Sequence, residues 1–154
     1  MNRKDYLQDL EGQFLRSPRR DAAAVAKELD HVEGVGGVYG IWDESKLRYF
    51  GETCHLNHRL FEIVFIGRHH SLNLLMGAEA LGKTGKEKSA WLCRSALRIS
   101  WMVVEIGRAE LEEYMVLKYA ADLKNRQGRR FGLRSDIIEW RKMTESDQSE
   151  KGAA

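Results

Sequence analysis

The chain has 154 residues, 43% of them hydrophobic and 31% charged, a length and balance that suit one soluble globular domain and exclude a disordered or fibrous chain. A formal net charge of +2 is a small excess for a protein that coats nucleic acid through phosphate contacts alone. With only Cys54 and Cys93, a disulfide framework or a four-cysteine metal site is excluded, and the absence of an apolar signal core or bilayer-length stretch leads us to expect a cytoplasmic protein with reduced thiols.

In chain order, residues 2–15 and 19–30 have helical patterning broken at Ser17-Pro18, which predicts an N-terminal helical extension over residues 1–32. The glycines between Glu33 and Gly37 predict a turn. The strand formers Val38-Tyr39-Gly40-Ile41-Trp42, the polar turn Asp43-Glu44-Ser45-Lys46 and the run Leu47-Arg48-Tyr49-Phe50 then predict a β-hairpin. Leu56, Leu60, Ile63 and Val64 keep helical spacing up to Gly67, which puts Arg59 on an amphipathic helix. Residues 77–88 are rich in Gly and Lys and predict an exposed loop, followed by a short helix over 89–96. Leu97, Ile99, Trp101 and Val103 alternate with Arg98, Ser100 and Met102 as in a half-buried third strand. A helix is expected over 108–123, and the stretch after Trp140 predicts a disordered polar tail over 141–154. The expected fold is α/β in the broad (α+β) sense, a small, mainly antiparallel three-stranded sheet flanked by helices, with the main domain over 33–140.

Basic residues gather at Arg16, Arg19 and Arg20, at Lys83, Lys86 and Lys88, and at Lys124, Arg126, Arg129, Arg130 and Arg134. Such clusters serve equally as solvated faces and as phosphate contacts. On the helix over 108–123, Glu112 and Glu113 both fall within or beside an apolar arc, where a carboxylate is costly unless a cation, a metal or hydrogen bonds compensate it. Helical periodicity does not choose between them.

The hairpin carries Gly37-Val38-Tyr39 and then Tyr49-Phe50-Gly51. Arg59 follows Gly51 by eight residues, and Asn125 follows Glu113 by twelve. In these four registered elements the sequence resembles the GIY-YIG nuclease superfamily over about residues 35 to 126. The resemblance implies a DNA endonuclease that hydrolyses phosphodiester bonds with Mg²⁺ or Mn²⁺, and it selects Glu113 as the metal-binding carboxylate. A hard divalent ion prefers oxygen ligands and is often held by one or two carboxylates, water and a substrate phosphate. Arg59, a permanently charged fork of donors, would grip the scissile phosphate. Tyr39 and Tyr49 would orient or deprotonate the attacking water and bind phosphate, and Asn125 would tie down backbone near the site. The implied catalytic set is thus Tyr39, Tyr49, Arg59, Glu113 and Asn125.

The family commonly has His or Tyr four residues after the arginine, where this chain has Ile63. Isoleucine cannot move a proton, so either Tyr39 suffices or His58, His69 or His70 enters the site as general base. Glu52, after the second glycine, is a further departure, an acid that would repel phosphate or assist the metal. DNA is the expected partner, contacted by Arg59, Lys83, Lys86, Lys88, Arg126, Arg129 and Arg130, and a homodimer is one way to break both strands. The competing expectation is a catalytically silent DNA-binding module. Gly77 to Thr84 has the letters of a P-loop, but His70-Ser71-Leu72-Asn73 makes a poor preceding strand and Gly85 would interrupt the following helix. Cys54, His58, His69 and His70 match no common closed zinc site.

Overall fold

A computed structural model of the chain describes residues 2–125. Polar caps set where its helices begin. Asn2 accepts from the Asp5 amide at 2.9 Å and opens α1 (Arg3–Arg16), and Asp21 accepts from the Ala24 amide at 2.8 Å and opens α2 (Ala22–Glu28), which is followed by a 3-10 turn, Leu29–Val32. Strand β1 (Gly37–Asp43) turns at Glu44, whose φ of 54° is left-handed, and returns as β2 (Lys46–Thr53). Tyr39 faces Gly51 and Ile41 faces Tyr49 across this antiparallel pair. Strand β3 (Arg98–Val103) lies antiparallel on the other edge of β1, opposing Trp101 to Tyr39, so the strand order is β2-β1-β3. The expected three-stranded antiparallel sheet flanked by helices is the architecture of the described residues.

After β2 the chain enters α3 (Leu56–Phe61), which continues as a π-helical turn, Glu62–Ile66, and stops at Gly67 with a left-handed φ of 67°. Helix α4 (His70–Met76), a 3-10 turn at Gly77–Ala80 and α5 (Gly85–Arg94) lead to β3, and α6 (Arg108–Lys118) follows it.

Three elements differ from the sequence expectation. Only residues 81–84 of the expected 77–88 loop lie between helical segments, because Thr84 and Glu87 form a reciprocal capping box that starts α5 at Gly85. Gly85 therefore opens a helix rather than interrupting one, and it must be glycine because a Cβ there would collide with the Ile66 carbonyl. The helix expected over 108–123 stops at Lys118, and Asp122 and Leu123 donate back to the Tyr119 carbonyl in a tighter turn. In β3 the alternation is imperfect: Ser100 is buried because its hydroxyl accepts from Trp42 Nε1 at 2.8 Å, while Val103, at the end of the strand, is exposed.

The pleat divides the core in two. Val38, Trp42 and Phe50 pack against Leu7, Leu10 and Phe14 of α1 and Leu111 and Met115 of α6. Tyr39, Ile41, Tyr49 and Ile99 pack against Val25 of α2, Leu56, Leu60 and Ile63 beyond β2, Leu72 of α4 and Leu92 of α5. The N-terminal helices thus share both cores with the sheet. Helix α1 is also tied to the far end of the fold through Glu11, which is buried and receives Tyr114 Oη at 3.1 Å, Lys118 Nζ at 2.8 Å and Tyr119 Oη at 2.8 Å. Burial and that carboxylate push the Tyr119 hydroxyl up to about 12. Among the described residues no helix is long and apolar enough to cross a membrane.

Candidate active site

The face of β1 and β2 that carries Tyr39 and Tyr49 is where polar groups enter an otherwise apolar core. Tyr39 is 2% exposed, and its ring lies across Gly51 so closely that a Cβ there would stand 2.5 Å from Tyr39 Oη. The second glycine of the hairpin motif is thus the floor under the first tyrosine. The two tyrosine rings stack with centroids 6.0 Å apart. Burial dominates at both: it drives Tyr39 well above the ordinary tyrosine value and takes Tyr49 to about 12. The Arg59 guanidinium pulls both down, and the Glu112 carboxylate pushes both up.

Each tyrosine meets a histidine from the start of α4. Tyr39 Oη lies 3.0 Å from His69 Nε2, and Tyr49 Oη lies 2.5 Å from His70 Nε2. His69 is buried, and its Nδ1 accepts from the Ser71 amide at 3.1 Å and faces the Ser71 hydroxyl at 2.6 Å. An Nδ1 that accepts leaves the proton of a neutral imidazole on Nε2, so His69 donates to Tyr39. Burial, followed by the charges of His70 and Arg59, pulls His69 down to about 3 and keeps it neutral at ordinary pH. The His70 ring lies 4.2 Å from that of His69 and is exposed to solvent. Ser71, His69 and Tyr39 form one hydrogen-bonded run and Tyr49 and His70 another, and the two meet where the tyrosine rings stack.

Arg59 borders this cluster. One terminal nitrogen is 3.6 Å from Glu62, while its Nε is buried and makes no hydrogen bond among the described residues. Glu113 is 3% exposed, on the face of α6 that also buries Leu111, Met115 and Val116. Glu112 accepts from the Glu52 amide at 3.1 Å, so α6 presents a carboxylate to the backbone of β2. The Glu52 side chain lies 3.6 Å from Arg108 Nε, which offsets the acid at this position. Asn125 grips β2 from outside: its Oδ1 accepts from the Phe50 amide at 3.0 Å and its Nδ2 donates to the Phe50 carbonyl at 2.6 Å. Its neighbour Lys124 donates its own amide to the Arg48 carbonyl at 2.7 Å.

Other candidates are placed elsewhere. Ile63 is fully buried in the core, and His58 pairs with Glu62 at 2.7 Å on the surface, away from the tyrosine hydrogen bonds. Lys83 is exposed before α5, whereas Lys86 and Lys88 lie within that helix. Arg19 and Arg20 stack on Trp42 and Trp101, with guanidinium carbons 3.5 Å and 4.9 Å from the rings. Arg126, Arg129 and Arg130, with the expected tail, lie outside the described residues. The stretch with P-loop letters follows helix α4 rather than a strand. Cys54 and Cys93 are exposed free thiols.

Among the described residues no three His, Cys, Asp or Glu side chains converge as a metal cage. A hard divalent ion, were one bound here, would have Glu113 as its protein carboxylate and need water and a bound phosphate for its other ligands, and a single carboxylate does not make a closed zinc site. Sequence reasoning passed over Ser71 and kept Glu112 only as the alternative to Glu113. Its signal for Ser71 was the pair His69-Ser71 at the start of an apolar helical run, the pattern of a side-chain N-cap.

The chain matches no family model, no curated protein and no solved structure.

Proposed function

We propose that this protein is a divalent-metal-dependent DNA endonuclease of the GIY-YIG type. The observation that carries the reading is the meeting of Tyr39 and Tyr49 on one sheet face under the charge of Arg59, with Asn125 bound to the strand between Tyr49 and Gly51. These are the spacings on which the sequence resemblance rests.

In this reading Arg59 grips the scissile phosphate as charge develops on it. The attacking water gives its proton to the tyrosine network, and exposed His70, 2.5 Å from Tyr49, passes that proton to solvent. His69 remains neutral and holds Tyr39 through its Nε2–H, a hydrogen bond that favours the phenolate and opposes the effect of burial. The oxygen–phosphorus bond forms to the water as the bond to the 3′-oxygen breaks. A Mg²⁺ or Mn²⁺ ion held by Glu113 would supply positive charge at the departing oxygen. In this reading His70, not His69, carries the proton-moving role for which Ile63 is unsuited.

Incubation of supercoiled plasmid with the protein and Mg²⁺ tests this directly. Wild type is expected to nick or linearise the plasmid, and Arg59→Ala and Glu113→Ala are each expected to slow it at least about 100-fold. Equal rates in wild type and both variants sink the assignment.

The second reading is a silent DNA-binding module, favoured by the enclosure of Tyr39 and the apolar Ile63. Such a module retards DNA in a gel in Mg²⁺ and leaves it uncut.

A further inference from the structure

Between the hairpin, α4 and the end of α5 lies a cleft of about 280 Å³. Ligand-binding clefts begin at about 300 Å³, so this one has room for a single ring system and not for a length of strand. Leu75 of α4, Trp91 of α5 and Leu97 give it apolar walls. Trp91 Nε1 donates to Glu79 at 3.0 Å, which leaves the indole only apolar surface to offer. The Ser95 hydroxyl is likewise committed, to the Leu92 carbonyl at 2.6 Å and the Leu97 amide at 3.3 Å. Three lining side chains keep free polar groups: half-buried Arg48 and exposed Lys124 and Asp43 have no ion pair or side-chain hydrogen bond among the described residues. Arg48 owes its place to a β-bulge. Trp42 faces Leu47 and Ile41 faces Tyr49, so Arg48 is the extra residue of β2 and leaves the alternation of the strand. Lys124 is held beside it by its own amide, which donates to the Arg48 carbonyl at 2.7 Å.

We infer that this cleft takes the base of one nucleotide beside the cut, with Arg48 and Lys124 on its phosphate and Asp43 on its amino group. This inference rests on the nuclease reading. The free groups select the occupant. Two cations against one acid leave the rim net positive, which suits an anion, whereas a zwitterionic amino acid would leave one cation unanswered. Apolar walls with an indole suit a flat ring. A carboxylate only accepts, so Asp43 favours adenine, guanine and cytosine, whose amino groups donate, over thymine, which has none. The cleft is within reach of a strand held at the tyrosines: Arg48 adjoins Tyr49, and Leu75 is five residues beyond His70, about 7.5 Å along α4. A base enters it only when unpaired or turned out of the stack.

Titration of the ¹⁵N-labelled full chain in EDTA with dCMP, dTMP, 2-deoxyribose 5-phosphate or phenylalanine, read at the amide signals of Ala96 and Leu97, tests the cleft. Saturable shifts are expected with dCMP, about 10-fold weaker binding with dTMP, and none with the baseless sugar phosphate or the amino acid. Arg48→Gln and Lys124→Gln are each expected to weaken dCMP about 10-fold, and Trp91→Leu about 5- to 100-fold, with Trp91→Phe in between. Asp43→Asn, whose amide both donates and accepts, is expected to abolish the difference between dCMP and dTMP. The inference is overturned if the sugar phosphate matches dCMP, if dTMP matches dCMP in wild type, or if phenylalanine binds in place of the nucleotides. Unchanged dCMP affinity in both Arg48→Gln and Lys124→Gln, which are surface changes that leave the core alone, also overturns it. Plasmid cleavage in Mg²⁺ without nucleotide binding at Ala96 and Leu97 removes the cleft alone. Nucleotide binding there without cleavage removes the nuclease reading alone.

Discussion

Tyr39 and His69, thirty residues apart in sequence, meet through Oη and Nε2 at 3.0 Å in the interior of the protein. The direction of that bond follows from Ser71, whose amide occupies the other ring nitrogen. A histidine so held is a donor with a fixed orientation rather than a free base, and it makes the tyrosine's environment partly polar.

His69→Ala is therefore expected to lower the plasmid-cleavage rate by about 100-fold, and Ser71→Ala by less, because the serine acts through the imidazole. Single-turnover rates with saturating protein measure both. A His69→Ala rate equal to wild type would place His69 outside the reaction.

The same histidine gives a pH signature in stability. Folded His69 titrates near 3 against an ordinary 6.5, so between these values the unfolded chain binds a proton that the folded chain refuses. This residue costs nothing above pH 6.5, and its neutral burial destabilises progressively as pH falls toward 3, by at most about 1.4 kcal/mol per pH unit. Urea midpoints measured at pH 7.5 and pH 4.5 are expected to separate more for wild type than for His69→Gln. Equal separations contradict the shift.

Gly51→Ala tests the floor beneath Tyr39. The added methyl would stand 2.5 Å from the hydroxyl, so the ring must move off the strand and leave its histidine. A stability loss of about 1–3 kcal/mol is expected from overpacking, together with loss of cleavage. A fully stable, fully active Gly51→Ala would mean that the tyrosine's position is unimportant.

Asn125 makes two hydrogen bonds to one residue of β2. At roughly 0.5–1.5 kcal/mol each, Asn125→Ala is expected to cost about 1–3 kcal/mol, and Asn125→Asp, which keeps the acceptor and loses the donor, about half of that. Chemical denaturation of the two variants gives the comparison.

The hairpin, the amphipathic helix of Arg59 and the awkward position of Glu113 were legible because each is a local pattern: alternation, helical spacing, a carboxylate in an apolar arc. The arrival of His69 and His70 at the tyrosines was not. It depends on a π-helical turn at Glu62–Ile66 and a left-handed residue at Gly67, which together re-aim the chain before α4. Sequence named both histidines as candidates but could not separate them from His58, whose surface pairing with Glu62 is an ordinary one-turn contact. The start of α5 was hidden for a different reason. Glycine and lysine composition outweighed the Thr84–Glu87 capping box, and the need for glycine at position 85 comes from Ile66, a neighbour that only the tertiary fold supplies. Glu11 looked like one more charged residue on a helix face, since its three partners lie more than a hundred residues away.

That distance bears on how the protein is made. Helix α1 leaves the ribosome about a hundred residues ahead of Tyr114, Lys118 and Tyr119, which at 5–20 residues per second is roughly 5–20 s of waiting with Leu7, Leu10 and Phe14 uncovered. The fold cannot be finished piecemeal from the front. A translation product halted before α6 carries a bare apolar helix and an unpaired acid, the kind of nascent chain that chaperones hold until synthesis is complete.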